Sequence, residues 1–231
     1  MFKKNKRVLK HYSLHEAYPK MSPAKSHVPD WYKKAHRHVD KKITSLPQKL
    51  GFKSCQVFSD TLTLGYMLLT PVDLAVEQTP AGPSVSWSSS TETYVGLREH
   101  SEENSTLPIP LGCHPNHFVW RTVAGFKLPK GYSALMCHPL NRPDIPFVTL
   151  SGVLDGEITM HGGNIPVFFK KDFEGLIPAG TPFLQVIPFK RERWTSKYDS
   201  TLIKETLLNG VYSANMLHWY KKFKWHKKYY E

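Results

Sequence analysis

Pro129-Lys130-Gly131-Tyr132-Ser133-Ala134-Leu135-Met136, His138-Pro139-Leu140-Asn141-Arg142, Gly152-Val153-Leu154-Asp155-Gly156-Glu157-Ile158 and Ile177-Pro178-Ala179-Gly180-Thr181-Pro182-Phe183-Leu184-Gln185-Val186-Ile187 follow one another within residues 129–187. Short apolar runs alternate here with Gly/Pro turns. Pro129 to Tyr132 is a turn feeding a strand over Tyr132–Cys137, and Pro178 to Pro182 is a tight turn before a strand over Phe183–Phe189. Phe147 to Asp155 and Val167 to Phe169 also carry strand signals. Many short strands punctuated by turns point to a closed or sandwiched β architecture.

Outward from this stretch the same pattern continues. Phe118 to Val123 predicts a strand, as do Phe52 to Val57, Leu62 to Leu69 around Gly65, and Pro71 to Val76. Residues 79–93, rich in Ser, Pro and Gly, read as a loop or hairpin linker, and Glu99 to Thr106 as an exposed loop. After Asp199 the period changes: Leu202, Ile203, Leu207, Leu208, Val211 and Tyr212 recur at helical spacing. Asp199 or Ser200 is placed to cap that helix, and Gly210 weakens its middle. The expected organisation is a basic extended arm over 1–42, a β domain over 43–198 and a helical basic, aromatic tail over 199–231. In the arm, Pro29-Asp30-Trp31-Tyr32 suits one short helical turn, with Trp31 and Tyr32 anchoring it to the body.

With 231 residues and 40% hydrophobic content, the chain is able to build one substantial core. No run approaches the ~20 apolar residues of a membrane span. Lys10, His11 and His15 interrupt the region where a signal peptide would be apolar. Cys55, Cys113 and Cys137 are odd in number and lack CxxC spacing, as expected of reduced thiols. The net charge of +12 is concentrated at the ends. Residues 1–42 hold twelve basic and three acidic side chains and residues 218–231 hold five and one, whereas 43–217 is nearly neutral. Such ends suit an acidic partner or a neighbouring subunit.

The order of motifs in 129–187 resembles the β-clip fold of dUTPases and dCTP deaminases. There a Pro-x-Gly-Tyr element precedes a phosphate loop, a Gly-apolar-apolar-Asp element and a closing strand with glutamine. Pro71-Val72-Asp73-Leu74 resembles the family's early Asp-Leu strand. The chain also looks like a phage and bacterial family with Pro-Asp-Trp-Tyr, His-Pro-Leu-Asn-Arg and Gly-Thr-Pro-x-x-Gln signatures, a likeness that implies no activity.

The β-clip resemblance implies that Asp155 is the catalytic carboxylate orienting water. It implies that Asn141, Arg142, Gln185 and Asp73 contact the ligand or its phosphates, with Mg²⁺ as cofactor if the chain hydrolyses nucleotides and no cofactor otherwise. Three departures point to erosion of that chemistry. Asp155 abuts Gly156-Glu157 without the family's intervening aromatic, Leu140-Asn141-Arg142-Pro143 replaces Arg-Ser-Gly, and a basic aromatic tail replaces the glycine-rich lid.

Three functions stay open. The first is a phage-type accessory or structural protein on a catalytically eroded dUTPase-like scaffold, self-associating (as a trimer, by the family's habit) or joining other phage structural proteins, in the host cytoplasm or the virion. The second is a nucleotide-binding protein or hydrolase. The third is a nucleic-acid-binding module whose tail offers Lys221, Lys222, Lys227 and Lys228 to phosphates and Trp219, Tyr220 and Trp225 to bases. Trp219, Phe223 and Tyr230 would alternatively form one buried helical stripe. Cys113, His114, His117, Cys137 and His138 match no standard zinc spacing and read as loop histidines and buried thiols. His38-Val39-Asp40 has oxygenase-like spacing but lies in the arm, outside the strands.

Overall fold

A computed structural model describes residues 7–37, 51–88, 93–98, 108–157, 163–216 and 218–231. The expectations for Glu99 to Thr106 and His38 to Asp40 lie outside the described residues. The chain is mainly β. In order the elements are β1 (Lys10–Ser13), β2 (Ser22–Pro23), α1 (Asp30–Lys34), α2 (Gln56–Thr63), β3 (Tyr66–Leu69), β4 (Leu74–Thr79), β5 (Gly82–Ser86), β6 (Val95–Leu97) and β7 (Phe118–Arg121). They continue with β8 (Ala124–Lys127), β9 (Tyr132–Cys137), β10 (Phe147–Thr149), β11 (Gly152–Asp155), β12 (Asn164–Phe169), β13 (Gly175–Ile177), β14 (Pro182–Lys190), α3 (Leu202–Asn215) and α4 (Trp219–Phe223).

The strands pair antiparallel in four sheets, ordered β11-β9-β14-β3-β2, β10-β12-β7-β6, β13-β4-β5 and β1-β8. The two largest sheets share a core because their inner faces carry the big apolar side chains at alternate positions. Trp120 of β7 lies 4.9 Å from the Phe147 ring of β10 and 5.0 Å from the Phe183 ring of β14. Its indole N–H donates to Thr149 Oγ1 at 3.1 Å, and that hydroxyl donates to the Phe183 carbonyl at 2.8 Å. A large aromatic is thereby buried without an orphaned donor. Strands β1 and β2 of the N-terminal segment are bonded to β8 and β3, so the arm is stitched into body sheets.

Several expectations are corrected. Phe52 to Val57 is no strand: a 3₁₀ turn over Phe52–Ser54 leads into α2. Alternation misleads here because Phe58 stacks at 5.8 Å on Tyr32, which also meets Phe52 at 6.1 Å, and these aromatics clasp α1 to α2. The run Leu62 to Leu69 is split at Gly65, whose φ of +73° turns helix into strand. A Cβ there would lie 2.2 Å from the Val186 carbonyl oxygen, so the turn packs directly on β14.

Residues 79–93 contain β5, paired with β4 as a hairpin. Phe147 to Asp155 is two strands in different sheets, because the chain changes layer at Leu150-Ser151. Gly210 does not break α3, and residues 224–231 are not helical. Phe223 is exposed and Tyr230 lies beyond α4, so the buried tail stripe does not form. No described helix is long and apolar enough to cross a membrane.

Candidate functional site

Asp155 on one side, and Asn141, Arg142 and Gln185 on the other, fall at opposite ends of β9. Asp155 stands opposite Ser133, and Gln185 opposite Cys137. Four residues of strand separate the two positions by about 14 Å.

At the first end, Asp155 accepts a 2.6 Å hydrogen bond from Ser133 Oγ and lies 3.4 Å from Arg191 Nη1. Arg191 Nη2 pairs with Glu157, which also accepts the Gly131 N–H at 3.0 Å. That backbone bond first, and Arg191 after it, hold the Glu157 carboxyl below its ordinary range. A guanidinium therefore already occupies the space between Asp155 and Glu157. The two carboxylates do not fit a Mg²⁺ site, since a divalent cation would have to displace the arginine.

At the other end, Gln185 is fully buried in β14. Its Oε1 accepts the Leu140 N–H at 2.8 Å, and its Nε2 donates to the carbonyls of Thr61 at 3.0 Å and Leu64 at 2.6 Å. The amide thereby ties the Pro139–Asn141 turn to the end of α2. Asn141, at φ 56°, reinforces the tie with a 2.6 Å bond to Thr61 Oγ1.

Arg142 forks onto Asp144, with Nε 3.0 and 3.2 Å from its two oxygens and Nη2 2.9 Å from Oδ2. Its Nη1 donates to the His27 carbonyl at 3.2 Å. Asp144 also accepts the Trp31 indole N–H at 3.0 Å. Burial opposes ionisation of Asp144, yet the Arg142 and Trp31 hydrogen bonds outweigh it and lower its pKa. The donors a phosphate would need are thus turned inward as a clasp between the His138–Asp144 loop and the N-terminal segment. Asp73 serves another turn, accepting the Ala179 N–H at 2.6 Å.

The cysteines and histidines are scattered. Cys113 is buried against the Phe168 carbonyl, and His117 stacks on Phe168 at 5.2 Å. Burial pushes the Cys137 thiol up to about 11. The described residues hold no group of three or more His, Cys, Asp or Glu arranged for a metal ion.

His138 Nε2 lies 3.3 Å from the Arg142 carbonyl, and its Nδ1 accepts the Thr149 N–H at 3.4 Å. Only a neutral ring makes both bonds. Burial accordingly lowers its pKa below 6.5, and burial first, then Arg142, does the same for His27. As pH falls below about 6.5 the unfolded chain takes up these protons before the folded one does. Stability is therefore expected to fall from pH 7 toward pH 5 and to level off below the folded pKa values. Glutamine at 138 offers the same donor and acceptor without titrating. His138→Gln should flatten part of that slope in urea melts, and an unchanged slope would remove His138 from it.

The tail returns to the body at Asp60, a residue with no motif around it. The Trp225 indole N–H donates to both Asp60 oxygens at 3.1 and 2.9 Å, and Lys228 Nζ reaches Oδ2 at 2.5 Å. Tyr230 meets Tyr66 edge-to-face at 5.7 Å. Lys227 lies over Tyr229 and Lys224 over Trp219, while Tyr220, Lys221 and Lys222 face solvent. Trp219 stacks near Tyr212 of α3 at 6.4 Å.

Asp60, Asp144 and Arg191 organise these clusters, and the motifs did not single them out. The Arg142-Pro143-Asp144 spacing carried the one available signal, that of a local ion pair.

Comparison with solved structures gives phage enzymes. Two mutants of the dUTPase of Staphylococcus bacteriophage 80alpha match with TM-scores of 0.38 and 0.37, each 10% identical, covering 84% of this chain and 96% and 97% of theirs. A mutant dUTPase from phage phi11 of S. aureus, whose structure concerns coordination of a structural Mg(II) ion, matches with a TM-score of 0.35 and 11% identity, covering 84% and 97%. No protein-family model and no curated protein matches the chain.

Proposed function

We propose that this chain is a self-associating structural protein that grips neighbouring copies through residues 191–216, the irregular stretch and helix α3 that we term the arch. The observation behind this reading is the apolar surface the arch leaves in water. Trp194 is 85% exposed, Tyr198 86% and Leu207 67%, and Ile203, Leu208 and Val211 on α3 are each more than half exposed. Together these residues offer on the order of 1,000 Å² of apolar area. One partner in a stable interface contributes about 800 Å².

Charge favours a protein partner. Residues 191–216 carry Arg191, Arg193, Lys197 and Lys204 against Glu192, Asp199 and Glu205, and within α3 Lys204 and Glu205 cancel. A helix lying on an anionic membrane or on nucleic acid would present a cationic face. A second copy of the same near-neutral, apolar arch is the matching surface, and a closed ring of copies would satisfy every arch. The pairing of Asp155 with Arg191 and Ser133, and of Arg142 with Asp144, supports a structural role over nucleotide hydrolysis.

Light scattering on the eluting protein tests the proposal. The wild-type chain is expected to elute as a homo-oligomer, three copies being the number the β-clip resemblance implies. Leu207→Asp with Val211→Asp is expected to elute as a folded monomer with an unchanged melting profile for the body. A monomeric wild type would end the assembly reading. A nucleotide-dependent rise in melting temperature, lost in Asp155→Asn, would move the chain to the hydrolase reading.

A further inference from the structure

A cavity of about 570 Å³ lies where the N-terminal segment and the tail meet the body, beside the Asp155 cluster, whose Gly131 and Ser133 flank the cavity's Tyr132. Its volume is in the range of small-molecule sites. Tyr66 of β3, Tyr132 of β9, and Tyr229 and Tyr230 of the tail line it, together with Pro129 and Pro188. These are flat side chains whose hydroxyls sit at the ends of apolar rings, a lining suited to stacking on a planar molecule. The buried Leu128 adds an apolar wall.

Arg7 supplies the charge. It lines the cavity and donates through Nε to the Tyr132 hydroxyl at 3.3 Å, while its two Nη groups hold no partner among the described residues. Glu231 also lines the cavity and takes the Tyr66 hydroxyl on its backbone carbonyl at 3.4 Å. Of the residues that line the cavity Arg7 is the cation and Glu231 the acid, so an anion there would be held by the guanidinium itself. Lys190, opposite Tyr132 at the end of β14, is paired with Glu192 and adds no net charge beside the cavity.

We propose that this cavity binds a planar aromatic molecule carrying one anionic group, with its rings between the tyrosines and its anion on Arg7. The inference is independent of the assembly reading, since no residue of the arch lines the cavity. It makes the tail part of the site. Asp60 holds Trp225 and Lys228 in place, so it positions Tyr229 and Tyr230 without touching the ligand.

Fluorescence titration of the full chain with 8-anilinonaphthalene-1-sulfonate, beside its uncharged relative N-phenyl-1-naphthylamine, tests this. One molecule of either probe is expected to bind per chain. Tyr132→Ala should weaken both by about tenfold or more, the equivalent of 1.4 kcal/mol. Arg7→Gln, an exposed substitution that leaves the fold intact, should weaken the sulfonate by about fivefold to tenfold and leave the neutral probe unchanged. Asp60→Ala should weaken both by loosening the tail. Leu207→Asp should change neither, which separates this site from the apolar arch.

Absence of one-to-one binding would overturn the proposal. So would binding that is lost in Leu207→Asp but kept in Arg7→Gln and Asp60→Ala. An equal effect of Arg7→Gln on both probes would overturn the assignment of the anion to Arg7. Should Tyr132→Ala fail to fold, the Arg7 and Asp60 variants decide alone.

Discussion

Gln185→Leu is expected to lower the melting temperature by on the order of 10 °C, with no loss of any ligand response that the wild type shows. Leucine fills much the same volume but leaves the Leu140 N–H and the Thr61 and Leu64 carbonyls without the partner the glutamine gave them. Each such buried group costs about 1–3 kcal/mol, partly offset by the apolar gain of leucine, for a net of about 4 kcal/mol. In a chain of this size each kcal/mol moves the midpoint by about 2–4 °C.

Gln185→Glu gives the sharper signature. A carboxylate keeps the Leu140 bond but faces two carbonyl oxygens, so the loss is expected to exceed that of leucine at pH 7. On acidification the protonated acid regains one donor, and stability relative to leucine should recover. Thermal melts across pH check both outcomes. If Gln185→Leu melts with the wild type, the amide is not holding the turn to α2.

Arg142→Leu is expected to cost about 2 kcal/mol and to loosen the N-terminal segment. The substitution leaves Asp144 with Trp31 as its one side-chain partner among the described residues and strips the His27 carbonyl of a donor. Breaking a fully buried pair costs about 3–5 kcal/mol, and the lower figure follows because Asp144 keeps 37% of its side-chain surface in water and is screened there. Arg142→Lys should rescue little, since one ammonium cannot fork onto two carboxylate oxygens and also reach His27.

A cycle with Asp144→Leu is expected to show non-additivity of about 1–2 kcal/mol. Emission from Trp31 should shift red as its indole loses its fixed partner. A phosphate-binding arginine would behave otherwise: its loss would spare stability and abolish stabilisation by inorganic phosphate. Neutral stability in Arg142→Leu would return the residue to that role.

Both predictions concern residues that motif order brings forward as ligand contacts, and the structure gives their polar atoms to the protein itself. The reason lies in what a motif encodes. His-Pro-Leu-Asn-Arg and Gly-Thr-Pro-x-x-Gln specify a turn and a strand, and the same amide and guanidinium can face a ligand or a neighbouring loop. Here α2 and the N-terminal segment come up against them. Neither is readable locally, since Trp31 and Asp144 are 113 positions apart, and Gln185 and Thr61 are 124.

By itself, the sequence determined the elements whose evidence is local. The strand expected after the Pro129–Tyr132 turn became β9, Phe183–Phe189 lies within β14, Pro29-Asp30-Trp31-Tyr32 started α1, and the 3.6-residue apolar period after Asp199 became α3. It also determined where the positive charge resides, because that is a count. Tertiary structure alone decided that Phe52 to Thr63 curls into turn and helix, since the aromatic clasp with Tyr32 outweighs the short alternation. It decided that Phe147 to Asp155 divides between two sheets. And it decided the tail: Trp225 and Lys228 meet Asp60 across more than 160 positions, by an ion pair and indole bonds that no periodicity announces. Backbone preference acts over a few residues, whereas side-chain polar partners are assigned only when the sheets close.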